Sequence, residues 1–131
     1  VMLVTIPEET PVSEAIDTAF AVEDRAGVAL GPIVINGCYD ALPVGIASSV
    51  SDIARDAEAI DRFVSPREAT DLVSAVAFRA ERHEIQEEQI VRLGERLPLP
   101  QIRLPFLFTS DIARADIDVL AESLTRGIEA L

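Results

Sequence analysis

The sequence predicts an α/β fold with about three parallel strands, and three observations support this class. The runs at residues 2–6 and 32–35 are short, rich in β-branched residues and, apart from Thr5, apolar. Strands buried on both faces have this pattern, which is typical of parallel sheets. A segment with helical periodicity separates the two runs, and a crossover of that length permits parallel pairing. A third segment rich in apolar residues, at 101–108, follows a long helical segment.

The first crossover is predicted to be one amphipathic helix over residues 14–25. Ser13 is the expected N-cap, and Gly27 is the expected stop. The apolar positions recur at the spacing of one helical face: Ala15, Ile16, Ala19, Phe20 and Val22. After the second run, the pair Asn36 and Gly37 is expected to end the strand.

The second crossover is predicted to be a long helical hairpin insertion. A short amphipathic helix over 51–63 is followed by Ser65 and Pro66, a pair that commonly starts a helix. The long helix that begins there is expected to end at Pro98 and Pro100. In the simplest arrangement the two helices pack antiparallel.

The C-terminal part is predicted to be a strand over 101–108 and a helix over 112–131. Pro105 interrupts the strand, so only its first half can pair normally. The helix is expected to turn one apolar face inward: Ile117, Leu120, Ala121, Leu124 and Ile128. The chain is thus expected to divide into a β-α-β segment at 1–47, a helical hairpin at 48–98, and a last strand with its helix at 99–131.

Composition and charge exclude several classes of partner. The chain has 131 residues, 49% of them hydrophobic, and a formal net charge of −12. A field of that sign repels phosphate backbones and anionic lipid, so we expect neither nucleic acid nor a membrane surface as a partner. No apolar run approaches the roughly 20 residues that cross a bilayer, so we expect no membrane insertion and a cytoplasmic location. Cys38 is the only cysteine, which excludes an internal disulfide.

The basic residues exclude one kind of phosphate site. All 11 of them are arginine, and the chain contains no lysine. A P-loop requires a lysine that follows a glycine-rich turn and reaches the β- and γ-phosphates. This chain therefore cannot bind the phosphates of a nucleotide in that way. We assign it no catalytic residue and no metal ligand.

Two strand ends are candidates for a ligand site, because ligands of open parallel sheets bind at the carboxyl ends of the strands. Asn36 follows the second strand, and its amide can pair with the amino group and ring nitrogens of adenine. The alternative is that Asn36 only supplies a turn residue before Gly37. The segment from Leu104 to Phe108 ends the third strand; its backbone can flank the same ligand, and an apolar ring or side chain of it can stack on a base. The alternative there is a core strand with a proline bend.

Four stretches, in order, resemble the C-terminal half of the ArsA/GET-type ATPases. This family of arsenite pumps and tail-anchored-protein targeting factors belongs to the deviant P-loop (SIMIBI) class. The stretches are VTIPE at 4–8, PIVIN at 32–36 (similar to the family's IVN strand end), RHEIQ at 82–86 (similar to its RHxIQ stretch on the long helix) and RLPFL at 103–107. They span nearly the whole chain.

The resemblance implies that the chain is the C-terminal half of a Rossmann-like P-loop NTPase sheet. Family members bind ATP between the two subunits of a dimer, which here would be a homodimer or a pair of paralogues. Asn36 would contact adenine, with Pro105, Phe106 and Leu107 lining the base. The P-loop, the switch residues and the Mg²⁺ ligands lie in the family's N-terminal half. We therefore expect an N-terminal half before Val1 and no hydrolysis of ATP to ADP by this chain alone.

The resemblance is incomplete, and a second hypothesis competes with it. Eukaryotic-type targeting members carry a CxxC zinc clip between the IVN strand and the long helix; this chain has no such pair, so we expect no zinc-tied dimer. The two prolines before the last strand and the arginine-only basic set make the chain resemble a distant bacterial-type member. The alternative function is a complete, non-catalytic interaction module. In that case the helical hairpin would present an apolar groove to a partner helix.

Overall fold

Strands and helices alternate along the chain, as its computed structural model shows for residues 1–43, 45–46 and 49–131. The elements are β1 (Leu3–Thr5), α1 (Glu9–Ala21), β2 (Ile33–Cys38), α2 (Val50–Ala59), α3 (Pro66–Arg96), β3 (Gln101–Pro105) and α4 (Arg114–Glu129). They form two compact units, residues 1–40 with 85–131, and residues 41–84. The predicted boundary between segments 1–47 and 48–98 falls at Ala47 and Ser48, outside the described residues.

The three strands form one open parallel sheet in the order β1-β2-β3. Ile33 in β2 is in register with Leu3 on one side and with Gln101 on the other. The prediction of an α/β fold with three parallel strands is confirmed for the described part of the chain.

One face of the sheet carries the hydrophobic core. Ile33 and Ile35 are fully buried there. They pack with residues of α1 and of the C-terminal part of α3: Val12, Ile16, Ala19, Ile90, Leu93 and Leu97. Both crossover helices therefore cover the same face. This is expected for right-handed crossovers when the strand order β1-β2-β3 proceeds in one direction across the sheet.

The opposite face is covered less completely. Since side chains alternate along a strand, Val34 and its register partners Val4 and Ile102 lie on this face. Val34 and Ile102 are buried, and α4 packs closely on β3, where a Cβ on Gly127 would overlap Cγ2 of Ile102. Val4 in β1, in contrast, is 67% exposed.

The expectation that five apolar residues of α4 turn inward was partly wrong. Leu120 and Leu124 are half-buried, but Ile117 and Ile128 are 53% and 51% exposed, and Ala121 is exposed as well. The helix contacts β3 through the side that holds Gly127. The other apolar residues lie on the adjoining strip of the helix, which has no cover among the described residues.

The start of α1 differs from the prediction. The helix begins at Glu9, and Ser13 is not its N-cap but lies inside it, donating from Oγ to the Glu9 carbonyl oxygen at 2.8 Å. Pro11 does not prevent the earlier start, because amides in the first turn have no acceptor within the helix. Gly27 ends the helical segment as predicted, with φ of 61°, after a π-helical turn over Val22–Ala26.

The start of α3 agrees with the prediction, whereas α2 is shorter than predicted. Ser65 Oγ accepts the Glu68 amide at 3.3 Å, and Glu68 Oε2 accepts the Ser65 amide at 2.9 Å, forming a reciprocal cap before Pro66. In α2 the N-cap is Ser49, whose Oγ accepts the Asp52 amide at 3.2 Å. That helix ends at Ala59 instead of continuing to residue 63.

The contact between α4 and β3 predicts the effect of a single methyl group. We expect Gly127→Ala to lower the free energy of unfolding by about 1 kcal/mol in urea denaturation. Overlap with a buried side chain costs about 1–3 kcal/mol, which outweighs the roughly 1 kcal/mol that alanine gains over glycine in a helix. Gly31→Ala is the control, because its Cβ meets only the Val1 carbonyl oxygen at an ordinary 3.6 Å. A more stable Gly127→Ala variant would contradict this packing.

Candidate functional site

A bulge interrupts β2 at its carboxyl end. The register pairs on either side of it are Ile35 with Arg103 and Cys38 with Pro105, so β2 has one extra residue between them. Gly37 takes up the extra residue with φ of +76°, in the left-handed region that favours glycine. The prediction that Asn36 and Gly37 end the strand was therefore wrong: β2 continues to Cys38, and the bulge returns that side chain to the core beside Ile35.

A buried amide on α3 holds the backbone beyond the bulge. Gln86 is only 4% exposed. Its Oε1 accepts the Tyr39 amide at 2.7 Å, and its Nε2 donates to the Gly37 carbonyl oxygen at 3.1 Å. On the other side of the strand, the Cys38 carbonyl oxygen accepts the Phe106 amide at 2.8 Å. The end of β2 is thus hydrogen-bonded along both edges, by the chain after β3 and by Gln86.

Three aromatic rings meet where β2 and β3 end, and we call Tyr39, Phe106 and Phe108 the aromatic cluster. The ring centroid of Tyr39 lies 4.8 Å from that of Phe106 and 5.2 Å from that of Phe108, and the two phenylalanine centroids are 4.8 Å apart. The tilted geometries are those that aromatic pairs prefer. Phe106 and Phe108 remain 42% and 61% exposed, so the cluster offers ring surface to solvent.

The predicted site residues are distributed around this cluster. Phe106 belongs to it, and its Cδ2 atom would lie 3.8 Å from a Cβ on Gly37. Asn36 is exposed, and it lines an open groove of about 410 Å³ together with residues of β1 and α1 such as Val4 and Glu14. Pro105 is the last residue of β3, and both it and Leu107 are half-buried.

Two residues of this region, Tyr39 and Gln86, were not predicted from the sequence. Tyr39 lies a few positions beyond the predicted end of the second strand, and an aromatic residue there, with Phe106 and Phe108 at the end of the adjacent third strand, was a usable signal. Gln86 had no such signal, because its partners are backbone groups 49 and 47 positions away.

Burial near the strand ends keeps the thiol of Cys38 protonated. Arg103 and Glu87 form an ion pair with NH1 and Oε1 2.6 Å apart. Burial raises the pKa of Cys38 from its usual 9.0 to about 11, and the Arg103 charge opposes this shift in part. The thiol also lies 3.4 Å from the Ile35 carbonyl oxygen. At neutral pH Cys38 is therefore a buried, uncharged group with no nucleophilic character.

The arrangement is chemically suited to binding a flat ring. It combines exposed aromatic surface with an exposed amide that can both donate and accept. Within residues 1–43, 45–46 and 49–131, no group of three or more His, Cys, Asp or Glu side chains is placed to hold a metal ion.

Comparison with known proteins assigns no family to this arrangement. The chain matches no known protein-family model and no curated protein. Among the described helices, none is both long and apolar enough to span a lipid bilayer.

The raised pKa of Cys38 predicts a loss of stability in alkaline solution. The folded chain holds the thiol proton more tightly than the unfolded chain, so the stabilisation is complete below pH 9 and is lost as the pH rises through about 11. Urea denaturation at pH 8 to 11 should show this fall, and Cys38→Ala should show a smaller one. Equal pH dependence of the two proteins would contradict the assignment. Iodoacetamide should also modify the folded chain at least about 100-fold more slowly than the unfolded chain at pH 8.

Proposed function

We propose that this chain is the adenine-binding part of a cytoplasmic ATPase similar to the ArsA/GET-type, SIMIBI-class enzymes. The observation that carries the proposal is that the aromatic cluster and exposed Asn36 both lie at the carboxyl ends of two adjacent parallel strands. This is where open α/β sheets bind their ligands. In the proposed complex the base stacks on Phe106, and the Asn36 amide pairs with its polar edge.

The proposal divides nucleotide binding between two parts of a protein. A base is uncharged and needs no cation, so an acidic chain of net charge −12 can bind it. The triphosphate and Mg²⁺ need a P-loop lysine and acidic ligands, which the proposal assigns to an N-terminal half. That half would also cover Val4 and pair with β1, which is an edge strand of the described sheet.

Coupling to a conformational change is the remaining part of the proposal. ATP held between two subunits, identical or paralogous, would change their relative position when it is bound and hydrolysed. This chain alone contributes the base site and supplies no group to hydrolysis.

A second candidate function is a protein-interaction module, and one observation favours it. Among the described residues of the unit 41–84, six large apolar side chains are at least 40% exposed, and the three most exposed are Phe63 at 90%, Ile60 at 71% and Phe78 at 58%. Such residues are typical of surfaces that bind an apolar partner. This function requires no adenosine binding, so a nucleoside titration separates the two candidates.

The base site can be tested with adenosine and the isotopically labelled 131-residue chain. We expect saturable NMR shift changes confined to residues 36–39 and 105–108, with a Kd on the order of 1 mM, because stacking and one amide supply only about 4 kcal/mol. Phe106→Ala should remove saturation, since stacking contributes about 1–3 kcal/mol per base. Asn36→Ala should weaken binding by about 1 kcal/mol.

Phe63→Ala is the matched control for the titration. It removes an exposed phenylalanine from the other compact unit and should leave adenosine binding unchanged. If the wild-type chain shows no saturable shifts, or shows them only within residues 41–84, the adenine site is wrong and the interaction module gains support.

A further inference from the structure

Gln86 takes the place of a missing neighbour strand. The Cys38 carbonyl of β2 points towards the chain after β3, since it accepts the Phe106 amide. The flanking Gly37 carbonyl and Tyr39 amide point the other way, towards the side of β1. Because β1 ends at Thr5, it offers these two groups no partner. The side-chain amide of Gln86 supplies one acceptor and one donor in its place.

The same two hydrogen bonds determine where the Tyr39 ring lies. Tyr39 follows the last residue of β2, and its amide is bonded to Gln86. Fixing this amide and the Gly37 carbonyl orients the backbone from which the ring projects. The ring then contacts both Phe106 and Phe108. Both hydrogen bonds of Gln86 join it to backbone groups and not to the three rings, so it acts on the rings through the backbone.

We propose that Gln86 is a positioning residue for the aromatic cluster and makes base binding there depend on the position of α3. The proposal rests on the adenine site proposed above and adds a way to regulate it. With α3 in its present position, Tyr39 is held and the cluster presents an ordered surface. When α3 shifts, the cluster loses its support and binds the base more weakly.

The geometry makes this contact sensitive to small movements. Gln86 donates one hydrogen bond and accepts the other, and the two partner groups belong to the residues on either side of Cys38. A single side-chain amide must therefore reach both groups at once. A shift of α3 by one residue along its axis is about 1.5 Å, and either bond lengthened by that amount would lie beyond hydrogen-bonding distance. Since Gln86 is buried, water does not readily replace the lost partners.

The chain carries its own reporter for this test. It contains one tyrosine and no tryptophan, so its intrinsic fluorescence reports on Tyr39 alone. We expect Gln86→Leu to increase acrylamide quenching of this emission and to speed exchange of the Tyr39 amide by about tenfold or more. The Kd for adenosine, measured by NMR shifts, should rise about three- to tenfold.

Gln89→Leu is the matched control. It makes the same chemical change one turn along α3, where Gln89 Oε1 accepts from Arg92 NH1 at 2.7 Å. It should leave tyrosine quenching, amide exchange and adenosine affinity at their wild-type values. If Gln86→Leu does not fold by circular dichroism, Gln86→Asn keeps an amide that is one methylene too short and should give the same changes.

Reciprocity provides a measurement on the wild-type chain. If adenosine binds the ordered cluster more tightly than the disordered one, saturating adenosine must slow exchange of the Tyr39 amide. The factor of slowing equals the ratio of the two affinities. The positioning role is overturned if Gln86→Leu or Gln86→Asn folds with wild-type exchange and quenching. The regulatory role is overturned if exchange changes but adenosine affinity does not. If the wild-type chain binds no adenosine, the base site and the regulation of that site by α3 are both overturned. The exchange and quenching results still decide in that case whether Gln86 positions the aromatic cluster.

Discussion

The backbone at the end of β2 needs hydrogen-bond partners that the sheet does not provide, and the rest of the site depends on how this need is met. β2 runs over Ile33–Cys38, but β1 stops at Thr5, in register with Ile35. Beyond that point one edge of β2 has no neighbouring strand, and a buried unpaired peptide group costs about 1–3 kcal/mol. The amide of Gln86 satisfies a carbonyl and an N–H of this edge together. The strand can therefore continue through its bulge far enough to place Tyr39 against Phe106 and Phe108, which follow β3.

The two faces of the sheet divide structural and functional roles. One face is closed by α1 and α3 and contains the fully buried side chains of β2. On the other, α4 covers Ile102 but leaves Val4 exposed. Alternation turns Asn36 away from the core and onto this second face. A ligand can approach the strand ends from there without displacing core residues, so the less closely packed face is the one suited to recognition.

The sequence predicted those features that depend on local pattern. Continuous β-branched runs indicated buried parallel strands, and Ser65 with Pro66 marked the start of α3, because these signals arise from a few neighbouring residues. Ser13 was misassigned because serine can cap a helix or bond within its first turns, and spacing does not separate the two. The outer strip of α4 was assigned inward because periodicity identifies an apolar face without showing what lies opposite. The role of Gln86 depends on backbone groups distant in sequence, so no local pattern could reveal it.

Recognition at this site would depend on enclosure. A ring stacked on Phe106 and Phe108 is held through a π-face that every purine shares, so stacking gives affinity with little discrimination. Discrimination would have to come from Asn36, yet an exposed amide exchanges a bond to water for a bond to the base with little net gain. The same hydrogen bond discriminates strongly once water is excluded, because a mismatched base would then leave a buried group unpaired. A selective base site here therefore requires another surface to close over the aromatic cluster, and the proposed N-terminal half or second subunit would supply it.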